Sequence, residues 1–126
     1  MWSKVILVFV GGALGAVIRE FFMLAVPTAG DGFPLDIFCA NIMAAFILGL
    51  TFGNQRMKKV SDEFVLLVGT GLMGGLSTFS SFTYGAYSEL RTTGDIGFGV
   101  LYIVMSLAAG YFATLMGVRL AGKRNA

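Results

Sequence analysis

The chain has 126 residues, 56% of them hydrophobic and 13% charged, with a net charge of +2. A water-soluble domain this small carries about twice that share of charge to cover its surface, so a mean hydropathy of +0.82 points to a bilayer. With no His and a single Cys, Cys39, the chain excludes an internal disulfide framework, a Cys/His metal site and a His-based catalytic arrangement, and its small net charge gives no reason to expect nucleic-acid binding.

A membrane span needs about 20 apolar residues, so roughly four spans fit, with short loops and no separate soluble domain. The chain is expected to be one all-α integral membrane domain, 1–126, with helices at about 3–26, 35–54, 63–89 and 95–119. Strands are excluded, since four of them cannot close a barrel and lipid tolerates no open sheet edge.

The first segment is uncharged from Val5 to Ile18, meets Arg19 and Glu20, and resumes as Phe21 to Val26. A secretory signal peptide would need an A-x-A cleavage site, and none appears. Arg19 and Glu20 read as a boundary pair whose stems lie along apolar surface. The loop Pro27 to Pro34 has turn chemistry and no positive charge. The second segment, Leu35 to Gly53, holds Asn41, the one Asn or Gln deep within any span. A polar residue there is a functional candidate or a hydrogen bond between helices. The loop Asn54 to Glu63 is the most charged stretch.

The third segment is the most informative. It reads Gly69-Thr-Gly-Leu-Met-Gly-Gly-Leu-Ser-Thr-Phe-Ser-Ser-Phe-Thr83, with four glycines followed by hydroxyls at Ser77, Thr78, Ser80 and Ser81. The Gly74–Gly75 pair before Ser77–Thr78 predicts a break, one half-helix ending at glycine and another starting on hydroxyl caps. Lipid cannot satisfy the backbone groups a break frees, so they must meet protein, water or an ion. Freed carbonyls suit a cation, and a half-helix N-terminus suits an anion. Phe79 and Phe82, at i and i+3, share a helix face. They are packing aromatics, or rings whose positive edges touch a small anion. A hinge, Glu89 to Asp95, precedes the fourth segment, where Tyr102, Ser106, Gly110 and Thr114 recur every four residues as a polar stripe. Such a stripe makes a hydrogen-bonded seam or a water path. Gly11/Gly15, Gly49/Gly53 and Gly71/Gly75 have the spacing that lets membrane helices approach closely.

Four spans put both termini on one side. Lys4, Arg56, Lys58, Lys59, Arg119, Lys123 and Arg124 fall there, and only Arg91 falls opposite. This bias favours cytoplasmic termini.

Gly11-Gly-Ala-Leu-Gly-Ala-Val-Ile-Arg19 resembles the signature GGxxGAxxR, and Gly74-Gly-Leu-Ser-Thr-Phe-Ser-Ser-Phe82 resembles GGLTTFSTF. Together with Asn41 in the second segment, they make the chain similar to the Fluc (CrcB) fluoride channels over nearly its whole length. The resemblance implies a fluoride-selective channel of the cell membrane that exports toxic fluoride passively. It implies an antiparallel, dual-topology dimer with two pores and a structural sodium ion at its centre, held by backbone carbonyls of Gly74 and Ser77. It places Asn41, Phe79, Ser81, Phe82, Tyr102 and Ser106 along the pore and Arg19 in a vestibule. Three positions depart from the pattern: Ile37 replaces a Thr, Gly85 an acidic residue and Gly110 a Ser. The seven-to-one charge bias also fits dual topology poorly, so an opposite-bias homologue stands beside the favoured homodimer as partner.

Two other functions compete. A small multidrug or cation exporter needs a membrane-embedded carboxylate; only Glu20 offers one, and such a carrier leaves the break unexplained. A non-conducting accessory subunit of a channel heterodimer is compatible with departures at pore positions. No enzyme is expected, since nothing resembles a nucleophile with its base.

Overall fold

The computed structural model describes residues 2–26 and 33–123; most of the loop expected from Pro27 to Pro34, and the basic Arg124, lie outside the described residues. Helix α1 is Trp2–Ala25 and α2 is Leu35–Arg56. A rod follows, built of α3 (Asp62–Phe64), a π-helical stretch (Val65–Leu72) and α4 (Met73–Leu76). Then come α5 (Phe79–Thr93) and α6 (Ile96–Lys123). Among the described residues there is no strand. Four helical spans, Trp2–Ala25, Leu35–Arg56, Asp62–Arg91 and Ile96–Lys123, are long and apolar enough to cross a membrane.

Local chemistry sets the ends. The Ser61 hydroxyl oxygen accepts the Phe64 N–H at 3.2 Å and starts α3. The turn before it contains Lys58 at φ 55°. The expected hinge from Glu89 is helical instead, because α5 runs on until Gly94. There a left-handed φ of 66° costs glycine no Cβ clash, and its N–H closes on the Leu90 carbonyl at 3.1 Å. In the π-helical stretch the Met73 N–H reaches the Val68 carbonyl, five residues back.

The helices pair in two tight seams. Helix α1 lies along the rod, where a Cβ at Gly11 or Gly15 would collide with the carbonyl oxygen of Leu67 or Leu72, and one at Gly75 with that of Gly12. Helix α2 lies along α6, where a Cβ at Gly49 or Gly117 would collide with the carbonyl oxygen of Thr114 or Phe46. Backbone-on-backbone approach of this kind is how apolar helices gain contact when lipid supplies no hydrophobic drive. Ala44, Met73 and Leu76 form the buried core between α2 and α4. Both seams run parallel, since their contacts advance together along the two helices. The start of α1, the turn 57–61 and the end of α6 therefore share one end of the molecule. The described basic residues Lys4, Arg56, Lys58, Lys59, Arg119 and Lys123 gather there, and the Lys59 ammonium donates to the Ala121 carbonyl at 3.0 Å.

Candidate functional site

The third span is interrupted two residues beyond the Gly74–Gly75 pair. Gly74 and Gly75 lie inside α4, while Ser77 (φ −79°, ψ 148°) and Thr78 (φ −147°, ψ 124°) are extended before α5 begins. Only Gly75 serves packing, against the Gly12 carbonyl; Gly74 has open space where a Cβ would be. Four side-chain contacts hold the interruption. Asn41 Oδ1, brought in by α2, accepts the Thr78 N–H at 3.1 Å. Thr78 Oγ1 accepts the Ser81 N–H at 3.3 Å and so caps α5. The Arg19 guanidinium, from α1, donates to the Gly75 carbonyl at 3.3 Å. The Ser77 hydroxyl closes the end of α4 on the Met73 carbonyl at 2.8 Å.

These bonds redirect the helical ladder. In a continuous helix the Thr78 N–H would serve the Gly74 carbonyl and the Ser81 N–H would serve the Ser77 carbonyl. Here both donors go elsewhere, which takes the usual helical donor from the two carbonyls that the family resemblance implies as cation ligands. Gly74 and Ser77 line one groove of about 260 Å³, shared with Asn41, Ala44 and Gly69.

A second groove, of about 290 Å³, is lined by Asn41, Ser77, Thr78, Phe79, Phe82, Ser106 and Leu107. Four of the six expected pore residues thus meet on it. Phe79 is 81% exposed and stands out from the protomer. Phe82 lies 6.0 Å from it, centre to centre, and stacks on Tyr102 at 5.7 Å with 28° between the planes. One face of Phe82 is therefore covered. Tyr102 is 1% exposed. Its hydroxyl and that of Ser106, one turn on, are buried neighbours that close no hydrogen bond of good geometry. Asn41 uses its oxygen on Thr78, and an amide carries two N–H donors besides.

Ser81 lines a separate cavity of about 470 Å³, with Asp36, Ile37, Ser80, Tyr84, Gly85 and Ser88. Ile37 gives that wall an apolar patch. At Gly85 a Cβ would stand 2.9 Å from the Tyr102 hydroxyl, which fills the place of a side chain there. Arg19 shares a closed contact zone with Asn41, Thr78 and Ser81, and its guanidinium reaches the interruption at the Gly75 carbonyl.

The polar stripe of α6 divides. Tyr102 and Ser106 belong to the aromatic groove, whereas Thr114 donates across the α2 seam to the Ala45 carbonyl at 3.2 Å and back to the Gly110 carbonyl at 3.0 Å. Gly110 has open space around it. Sequence reasoning passed over Asp36 and Glu89, both buried, and Phe33, whose ring stands edge-on to Tyr102 at 5.5 Å. Their charge or loop position at the ends of spans gave no sign of burial.

Comparison with known proteins places this architecture. Residues 6–118 match the family described as CrcB-like protein, Camphor Resistance (CrcB). A relative from Yersinia pseudotuberculosis, named fluoride-specific ion channel FluC 3, is 50% identical over 99% of this chain and 93% of its own length. One from Ignicoccus hospitalis, named fluoride-specific ion channel FluC, is 40% identical over 90% of this chain and 91% of its own. A Brucella abortus relative, FluC 1, is 46% identical over 98% of this chain, which spans only 46% of that longer protein. With the four apolar spans, these matches make the chain a multi-pass protein of the cell membrane, and it belongs to the CrcB family.

Proposed function

We propose that the protein is a fluoride-selective channel that lets toxic fluoride leave the cell passively. The observation that carries this reading is the groove at the interruption. It is lined by the uncharged polar residues Asn41, Ser77, Thr78 and Ser106 beside the rings of Phe79 and Phe82, and by no formal positive charge. A small anion finds donors and positive ring edges there. It is not held so tightly that it cannot leave, as conduction requires. The names of the relatives supply the ion. The exporter reading loses ground, since its required Glu20 is exposed and lines neither groove.

The assembly follows from the same interruption. Backbone groups released within a span must face protein, water or an ion, and Gly74 stands exposed on one protomer. Two protomers packed antiparallel with these segments together bring the Gly74 and Ser77 carbonyls of each to a two-fold axis. The residues fit a bound sodium ion, because both carbonyls have lost their helical donors. Neutral oxygens of this kind suit a monovalent cation, which would tie the two chains together. Ser81, Tyr102 and Arg19 complete the path as wall, buried donor and support of the interruption. The partner is a second copy of this chain, inserted against its charge bias.

The test is ion efflux from liposomes reconstituted with the purified protein. Rapid fluoride efflux with chloride nearly excluded is expected; equal rates for the two ions would overturn the selectivity, and no fluoride efflux would leave only an accessory role.

A further inference from the structure

A series of ring contacts crosses the site from α2 to the exposed Phe79. Phe38 of α2 stands edge-on to Phe33 at 5.6 Å, and Phe33 stands edge-on to Tyr102 at 5.5 Å, with 69° and 73° between the planes. Tyr102 in turn stacks on Phe82, which neighbours Phe79. Phe33 is not itself among the residues that line the aromatic groove. Local geometry sets its place. Pro34, at φ −76° and ψ 68°, forms an inverse γ-turn that closes the Leu35 N–H on the Phe33 carbonyl at 2.8 Å. The turn packs on α5, where a Cβ at Gly85 would stand 3.0 Å from Pro34 Cγ and 2.9 Å from the Tyr102 hydroxyl. Gly85 therefore admits the turn and the phenol together.

A ring stacked on one partner keeps freedom to slide and rock over it. A second ring set nearly perpendicular removes that freedom, because the two contacts restrain different directions. Phe82 rests one face on Tyr102, so the direction in which its edge meets the groove depends on what holds Tyr102. Side chains locked by packing hold a site more precisely than free ones.

We propose that Phe33 is a positioning residue for the anion path: with Phe38 behind it, its ring holds Tyr102 on Phe82 and so fixes how Phe82 presents its edge. The proposal rests on the channel reading for its effect on conduction and on the ring contacts alone for its effect on Phe82. The test incorporates 4-fluorophenylalanine in place of Phe82 and reads its fluorine resonance in the purified protein, in fluoride-free buffer. Phe33→Leu, which keeps apolar bulk but loses the ring, should shift or broaden that signal and leave a label at Phe46, in the α2–α6 seam, unmoved. Phe33→Tyr, which keeps the ring, should leave both signals near their places. In liposomes of unlabelled protein, Phe33→Leu should lower fluoride efflux about three- to tenfold, the worth of one aromatic pair, and Phe33→Tyr should retain most of it. Because Phe33 acts through Phe82, adding Phe33→Leu to Phe82→Ile should cause little further loss. An unmoved label at position 82 in folded Phe33→Leu protein, losses that multiply in the double variant, or Phe33→Tyr as slow as Phe33→Leu would overturn the proposal. Should Phe33→Leu not assemble, Phe38→Leu carries the same test one ring further back, with a smaller shift expected at position 82 and none overturning the proposal. A shifted label with no fluoride efflux from the unaltered protein would support the ring coupling and sink the channel reading.

Discussion

The basic half of the molecule and the half that carries the interruption are held by different kinds of contact. Toward the basic end, α1 meets the rod at Gly11 and Gly15 and α2 meets α6 at Gly49 and Gly117, backbone directly on backbone. Around the interruption the contacts change to single hydrogen bonds, such as Asn41 to Thr78 and Arg19 to Gly75, and to stacked rings. The first half has no room for a methyl group at these positions; the second contains grooves of about 290 and 470 Å³. The difference teaches how a span can tolerate a break. Rigid seams fix where α1, α2 and α6 lie, so that three side chains can meet the freed backbone groups without the helices having to search for them.

The largest effect is expected from spoiling a seam. Gly15→Val places side-chain carbon on the Leu72 carbonyl, and overpacking against backbone should cost about 3 kcal/mol or more. Thermal unfolding and size-exclusion chromatography in detergent should show little assembled protein. Gly12→Ala is the matched control, because its Cβ would meet only the Gly71 carbonyl, at an ordinary 3.8 Å. Equal behaviour of the two variants would dissolve the distinction between the halves.

A smaller loss of stability, with a large loss of transport, is expected at the interruption. Asn41→Ala leaves the Thr78 N–H without its acceptor, a penalty of about 1–3 kcal/mol for a buried group. Fluoride efflux should fall at least about tenfold, equivalent to about 1.4 kcal/mol on the barrier. Normal efflux in this variant would mean that water replaces the Asn41 oxygen and that the bond is dispensable.

Phe82→Ile sharpens the comparison from the other side. The ring edge is lost from the groove, while the volume change is modest and the site borders open space. Efflux should drop about tenfold with a melting shift of only a few degrees. Should the melting temperature collapse while residual folded protein conducts normally, Phe82 is a packing residue.

The smallest effect is expected at Thr114, which belongs to the seam although the sequence groups it with Tyr102 and Ser106. Thr114→Val removes its bonds to Ala45 and Gly110 and should cost about 1 kcal/mol with unchanged fluoride efflux. A transport defect without destabilisation would extend the pathway down the full stripe of α6.

Much of this could be read before any coordinates. The apolar runs determine four spans, because in lipid only a closed hydrogen-bond ladder is tolerated. Small residues at four-residue spacing locate the seams, and the clustered basic residues assign one end. The order of glycines, hydroxyls and phenylalanines in 74–82 determines that the third span should contain a break and which residues should surround it.

Tertiary contact decided the rest. Propensity alone places the break at Gly74–Gly75, but those glycines remain helical because α1 packs on Gly75, and the chain leaves the helix where Asn41 takes the Thr78 N–H. A residue 37 positions away in sequence settles that point, so no local pattern can contain it. The same holds for Tyr102 and Thr114, alike in the periodicity of α6 and parted only by what stands opposite: aromatic rings for one, the α2 backbone for the other. Asp36 and Glu89 are charges at the ends of apolar runs, where the sequence implies solvent. They are buried because α2, α5 and α6 converge around Tyr102, and burial is a property of that convergence, which no single stretch of sequence encodes.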